Sequence, residues 1–99
     1  MLIGLGAFMN HSLDTRRKRL RYLTCHTGTR ETDILLGGFV KISGNNLNRE
    51  QIEVLEELLG LTNDLDLLEW ITERSPVPKR FRSGTLDQII TYVRERSNS

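Results

Sequence analysis

Six basic side chains and no acidic one stand from Arg16 through Arg30, and Glu31 follows directly. The segment Gly28-Thr29-Arg30-Glu31 places a glycine, a helix-start pattern and a carboxylate within four positions. A glycine there bares the backbone, and the positive end of the helix dipole favours a carboxylate in the first turn. Among so many cations that carboxylate is suited to accepting charge-assisted hydrogen bonds from a partner rather than to moving protons. Spacing alone also allows a plainer role, in which Glu31 caps or ion-pairs with its own helix, and it favours that role.

Other chemistry is harder to assemble. Cys25 and His26 are adjacent, but neighbouring residues on a helix point about 100° apart and do not face each other. His11 lies far from both. With one cysteine and two histidines in the chain, a site for zinc, which takes three or four ligands, is not expected. No glycine loop of the phosphate-cradling type is present. An enzyme is not expected on these grounds.

The 99 residues suit one domain with a modest core. Apolar residues make up 37% and charged residues 27%, as in a soluble globular chain. The net charge of +1 conceals an asymmetry, because Glu50 through Glu73 carry eight carboxylates and no Lys or Arg. A dipolar surface of this kind fits a partner of mixed charge better than a uniform polyanion. The single cysteine allows no internal disulfide, and the cytoplasm is the expected compartment. The opening MLIGLGAFM lacks a basic lead and is too short to span a bilayer, so neither a signal peptide nor membrane insertion is expected. Met9 is an alternative start.

The elements that must position the Gly28–Glu31 segment read as five helices. Residues 1–13 show no helical period and are expected to form a flexible extension, with one helical domain over 14–97. Asp14 or Thr15 can cap a first helix to about His26, with Leu20 and Leu23 inward and Gly28 ending it. A second runs from Thr29 to about Ile42, with Ile34, Leu35, Leu36, Phe39, Val40 and Ile42 as its apolar band. Gly37-Gly38 inside it implies a bend or a close helix–helix approach. Asn48 and Gln51 form a capping box for a third helix. Ile52, Leu55, Leu58 and Leu59 face inward there, the glutamates 53, 56 and 57 outward, and Gly60 ends it. Asn63 caps a fourth, packed through Leu65, Leu67, Leu68, Trp70 and Ile71. Pro76 and Pro78 break the pattern. Thr85 with Gln88 opens a last helix to about Arg96. The expected fold is all-α, a compact five-helix bundle.

These residues carry a resemblance. Arg17-Lys18-Arg19-Leu20 with Tyr22, then Gly28 through Leu36, then Leu58-Leu59 and Asp66-Leu67-Leu68-Glu69-Trp70 keep the order and spacing of the SdhE-type FAD assembly factors. These are also called succinate dehydrogenase assembly factor 2. The resemblance implies a five-helix domain that is not an enzyme and binds no cofactor stably. It implies docking on the flavoprotein subunit of succinate dehydrogenase, or of fumarate reductase in some bacteria. There it would promote covalent attachment of FAD to a histidine of that subunit. The family's surface motif, Arg-Gly-x-x-Glu, falls here on Gly28 and Glu31, with Thr27 where the family has arginine. Threonine cannot make the two-pronged charged contact of a guanidinium. The partner-binding residues this implies are Gly28, Arg30 and Glu31, with Arg17, Arg19 and Tyr22 from the first helix. A monomer is expected.

Two other readings stay open on the residues alone. The Arg16–Arg21 helix fits a small nucleic-acid-binding protein, although the acidic helices would offset its field. A toxin–antitoxin type interaction domain is the other. The separated matching segments favour the assembly factor, with no nucleic acid bound.

Overall fold

The computed structural model describes residues 12–97. Five α-helices and no strand occur among them: α1 (Leu13–Thr24), α2 (Arg30–Ser43), α3 (Arg49–Leu61), α4 (Asp64–Ile71) and α5 (Gly84–Ser97). Short 3₁₀ turns, Gly44–Asn46 and Lys79–Phe81, follow α2 and precede α5. The all-α bundle expected from the helical periods is therefore the observed architecture. The reading of residues 1–11 lies outside the described residues.

α2 is the middle of the bundle. It packs against α1 on one side and α4 and α5 on the other, while α3 closes the structure against α1 and α5. The inward stripe of α2 is Thr32, Leu36, Phe39 and Val40, the three- and four-residue spacing of one helix face. Ile34 on the opposite side and Ile42 on the flank are exposed, so the apolar band predicted for this helix is too wide by two residues. Leu20, Ile52, Leu55, Ile71 and Ile89 meet the stripe with essentially no exposure. Each such side chain contributes about 1.5–3 kcal/mol by leaving water. Trp70 belongs to this core, its ring tilted against Phe81 at 5.3 Å between centroids.

The glycine pair in α2 serves close approach. A Cβ on Gly37 would lie 3.1 Å from the Thr24 carbonyl oxygen and 3.0 Å from Cys25 Sγ, and one on Gly38 would strike the Tyr92 hydroxyl. α1 and α5 thus both rest on α2 where it has no side chains.

Caps set the boundaries, and several differ from the sequence reading. Ser12 caps α1 by accepting from the Thr15 N–H at 3.2 Å, so the helix starts ahead of Asp14. It ends at Thr24 with Cys25 as cap, four residues before Gly28. The capping box at α3 is present, with Asn48 and Gln51 exchanging bonds of 2.8 Å. Gly60 does not end α3, which continues to Leu61; the Thr62 hydroxyl closes it by donating to the Leu58 carbonyl. Asn63 caps α4 as predicted, but Leu65 in its first turn falls outside the buried stripe and is exposed. At α5 the cap is Ser83, whose hydroxyl accepts from the Leu86 N–H at 3.1 Å. Thr85 is buried within the first turn, and Gln88 instead accepts from the Gln51 amide at 2.9 Å.

Candidate functional site

The loop from Cys25 to Thr29 turns a corner between α1 and α2, and the sequence explains its shape. Gly28 sits at φ +110°, a region in which a Cβ is strained. The same Cβ would stand 2.9 Å from Asp64 Oδ2, because the first turn of α4 lies beneath the corner. Thr29 caps α2 by backbone conformation but gives it no side-chain hydrogen bond. Asp33 ties the corner down. Its Oδ1 accepts from the Thr27 hydroxyl at 2.5 Å and the Thr27 N–H at 2.7 Å. Those two bonds hold the Asp33 carboxyl below its ordinary pKa, since they favour the charged form. Thr27 is thus committed inside the loop.

On the α1 side, the Tyr22 ring is exposed and stacks on His26 at 4.2 Å between centroids. His26 Nδ1 lies 2.7 Å from the Tyr22 carbonyl oxygen, which fixes that stack against the corner. Arg19 and Thr27 line one groove of about 350 Å³ beside it, floored by Leu23 and Leu59 and edged by Asp64. Arg30 and Glu31 open α2 and are both exposed. Glu31 reaches Arg74 from the loop after α4, at 3.5 Å, with both side chains about half exposed.

The structure therefore brings Arg19, Tyr22, Gly28, Arg30 and Glu31 to one end of the bundle. Arg17 is placed otherwise. Its guanidinium donates to the Leu47 carbonyl at 2.7 and 3.1 Å and to Asp14, with little exposure left. Arg16 is also turned inward, forming a two-pronged bond with Glu56, so Glu56 does not face outward as its position suggests. The basic run is consequently less of a free cationic face than its sequence implies. Lys18, Arg19 and Arg30 form no ion pair among the described residues. Two residues of the site escape sequence reasoning. Asp33 pairs with Thr27 across a spacing that no capping motif uses. Arg74 comes from 43 positions away and is adjacent only because α4 packs on α2.

The arrangement offers hydrogen-bond acceptors and donors on a fixed corner, and little else. Among the described residues no cluster of three or more His, Cys, Asp or Glu side chains could hold a metal ion. No helix among them is long and apolar enough to cross a membrane.

Residues 18–96 match the family described as flavinator of succinate dehydrogenase. The chain belongs to that family. The match encloses the whole corner and all of its neighbours from Lys18 onward. Similar curated proteins agree. The chain is 34% identical over 85 residues to an FAD assembly factor SdhE of Acetobacter pasteurianus, covering 86% of this chain and 77% of that protein. It is 33% identical over 86 residues to a mitochondrial succinate dehydrogenase assembly factor 2-A of Drosophila sechellia, covering 86% of this chain. It is 37% identical over 83 residues to a mitochondrial succinate dehydrogenase assembly factor 2-B of Drosophila melanogaster, covering 83% of this chain. The chain spans about half of each insect protein, 53% in both cases. These are names of assembly factors.

Proposed function

We propose that this flavinator-family chain binds the flavoprotein subunit of succinate dehydrogenase and promotes covalent attachment of FAD to it. Fumarate reductase, where present, offers a second subunit of the same kind. The observation that carries the reading is the Gly28–Glu31 corner, exposed, rigidly tied by Asp33, and lying within the matched family region.

The work divides between two proteins. The corner lays backbone and the Glu31 carboxylate against the flavoprotein, with Arg19, Arg30 and Tyr22 around it. Arg17 supports this face from inside by holding α1 to Leu47. FAD remains the partner's cofactor and is not held by this chain. The flavoprotein supplies the nucleophilic histidine. Docking fixes the flavin and that histidine in a reactive geometry, which lowers the barrier by orientation rather than by new chemistry. A preordered corner is what such a role requires, because every flexible residue at an interface must be ordered on binding.

The test is in-gel flavin fluorescence of the denatured flavoprotein subunit from cells with and without this chain. The covalent signal falls on deletion and returns with the wild-type chain. Glu31→Ala restores about a tenth of it or less, since a charge-assisted contact is lost, while circular dichroism stays that of the bundle. Full flavinylation by Glu31→Ala would falsify the assignment of Glu31.

A further inference from the structure

The loop that follows α4 is built in an unusual way, and what it presents is Arg74. α4 ends in a Schellman motif: the Glu73 N–H donates to the Trp70 carbonyl at 3.1 Å and the Arg74 N–H to the Glu69 carbonyl at 2.9 Å. The left-handed position of that motif is normally glycine, yet here it is Glu73 at φ 62°. A strained non-glycine residue persists when its surroundings hold it there. Glu73 is gripped by Arg94 of α5 through two bonds, 2.7 and 3.0 Å. On the other side the Ser75 N–H and hydroxyl both bond Glu69, at 3.2 and 3.0 Å. With its neighbours fixed, Arg74 is directed towards α2, where Nη2 lies 3.5 Å from Glu31 Oε2. Nη1 lies 3.9 Å from Glu69 Oε2.

An exposed pair of this kind adds little to stability, so stability does not account for a loop that holds it at the cost of backbone strain. An accessible carboxylate beside an accessible guanidinium is, however, a compact recognition element. The carboxylate keeps lone pairs for a partner's donors. The guanidinium, with five N–H groups and two long contacts, keeps donors for a partner's carboxylate or carbonyl.

We propose that Arg74 is a positioning and specificity residue of the docking site: it fixes the Glu31 carboxylate and offers its own free N–H groups to the same partner surface. The inference rests on the reading that Glu31 meets the flavoprotein. It adds a residue from a distant part of the chain, on an element that the Gly28–Glu31 motif does not include. It also supplies a guanidinium at the corner where Thr27 supplies none.

The experiment is a titration of purified flavoprotein subunit and FAD with the full chain, following covalent flavin. Arg74→Ala and Arg74→Glu are expected to raise the half-maximal concentration by about tenfold or more, as for loss of a charged contact. The plateau rate and the melting temperature stay those of the wild type. The charge-swapped double variant, Glu31→Arg with Arg74→Glu, is expected to stay as poor as the worse single variant, because the partner then meets both charges reversed. Two results overturn the inference. One is Arg74 variants within about twofold of wild type, the range of an ordinary surface change, while Glu31→Ala is impaired. The other is full recovery in the swapped protein, which would make the pair an internal contact only. Wild-type behaviour of Glu31→Ala itself would remove the docking reading, and this inference with it.

Discussion

At the scale of single residues, Asp33 decides whether the corner is rigid. It takes both donors that Thr27 offers, and the pairing lowers its pKa in the folded state. Unfolded, the group titrates at about 4. Above that value it is ionised in both states and its full contribution to stability is present. As pH falls through the lower folded value, the group is protonated and the contribution is lost. Asn at this position can still accept from Thr27 but carries no charge. Asp33→Asn is therefore expected to unfold at lower denaturant than wild type at neutral pH, with the gap closing as pH drops below about 4. Equilibrium unfolding of both proteins across that range measures it; a gap of constant size would mean that the carboxylate charge is not what matters. None of this was legible beforehand. Gly28 and Glu31 declared themselves by type and by their place at a helix start. Thr27 and Asp33 are ordinary residues whose link exists only once the loop is closed.

At the scale of elements, the crossing of α1 and α2 is set by Gly37. A methyl group there meets the Thr24 backbone oxygen at 3.1 Å, and backbone cannot swing aside as a side-chain tip can. Gly60, in the last turns of α3, has nothing within 4 Å of the equivalent point. The two alanine substitutions should therefore differ in sign. Gly60→Ala gains about 0.5–1 kcal/mol from helix propensity. Gly37→Ala loses about 1–3 kcal/mol as α1 is pushed off its seat. Chemical denaturation reads both, and destabilisation of equal size would show that packing at Gly37 is not special. The helical periods were legible because each buried stripe repeats every three or four residues, as in Ile52, Leu55 and Leu58. The caps were legible where the motif is local, as at Asn48 and Asn63. They were misread where two hydroxyl residues compete, and Ser83 prevails over Thr85 because Thr85 is drawn into the core. The close approach at Gly37-Gly38 was foreseeable as a possibility, but its partners, Thr24 and Tyr92, required the packed bundle.

At the scale of the whole molecule, charge is sorted along the fold. The acidic stretch from Glu50 to Glu73 forms α3 and α4, and the basic stretch forms α1 and the corner. Internal pairs remove part of the basic charge: Arg16 is bound to Glu56, and Arg17 to Asp14 and Leu47. What stays outward of the basic stretch is Lys18, Arg19 and Arg30, the last two at the corner. From sequence the whole run was available for a polyanion; in the fold a smaller group remains, next to an exposed aromatic stack and the Glu31–Arg74 pair. A small mixed-charge patch of this kind suits the proposed protein partner better than a uniform polyanion. Such charges act mainly on the rate of encounter, and salt screens them over a Debye length of about 8 Å at physiological ionic strength. The association rate with the flavoprotein subunit is accordingly expected to fall as salt rises. Arg19→Glu, on the rim of the Leu23–Leu59 groove, should slow association by about tenfold at low salt and flatten that dependence. The dissociation rate should change much less, because Arg19 lies at the edge of the proposed docking face. Stopped-flow or biosensor kinetics at several salt concentrations separate the two rates. A variant that associates like wild type at low salt would place the partner on another side of the bundle.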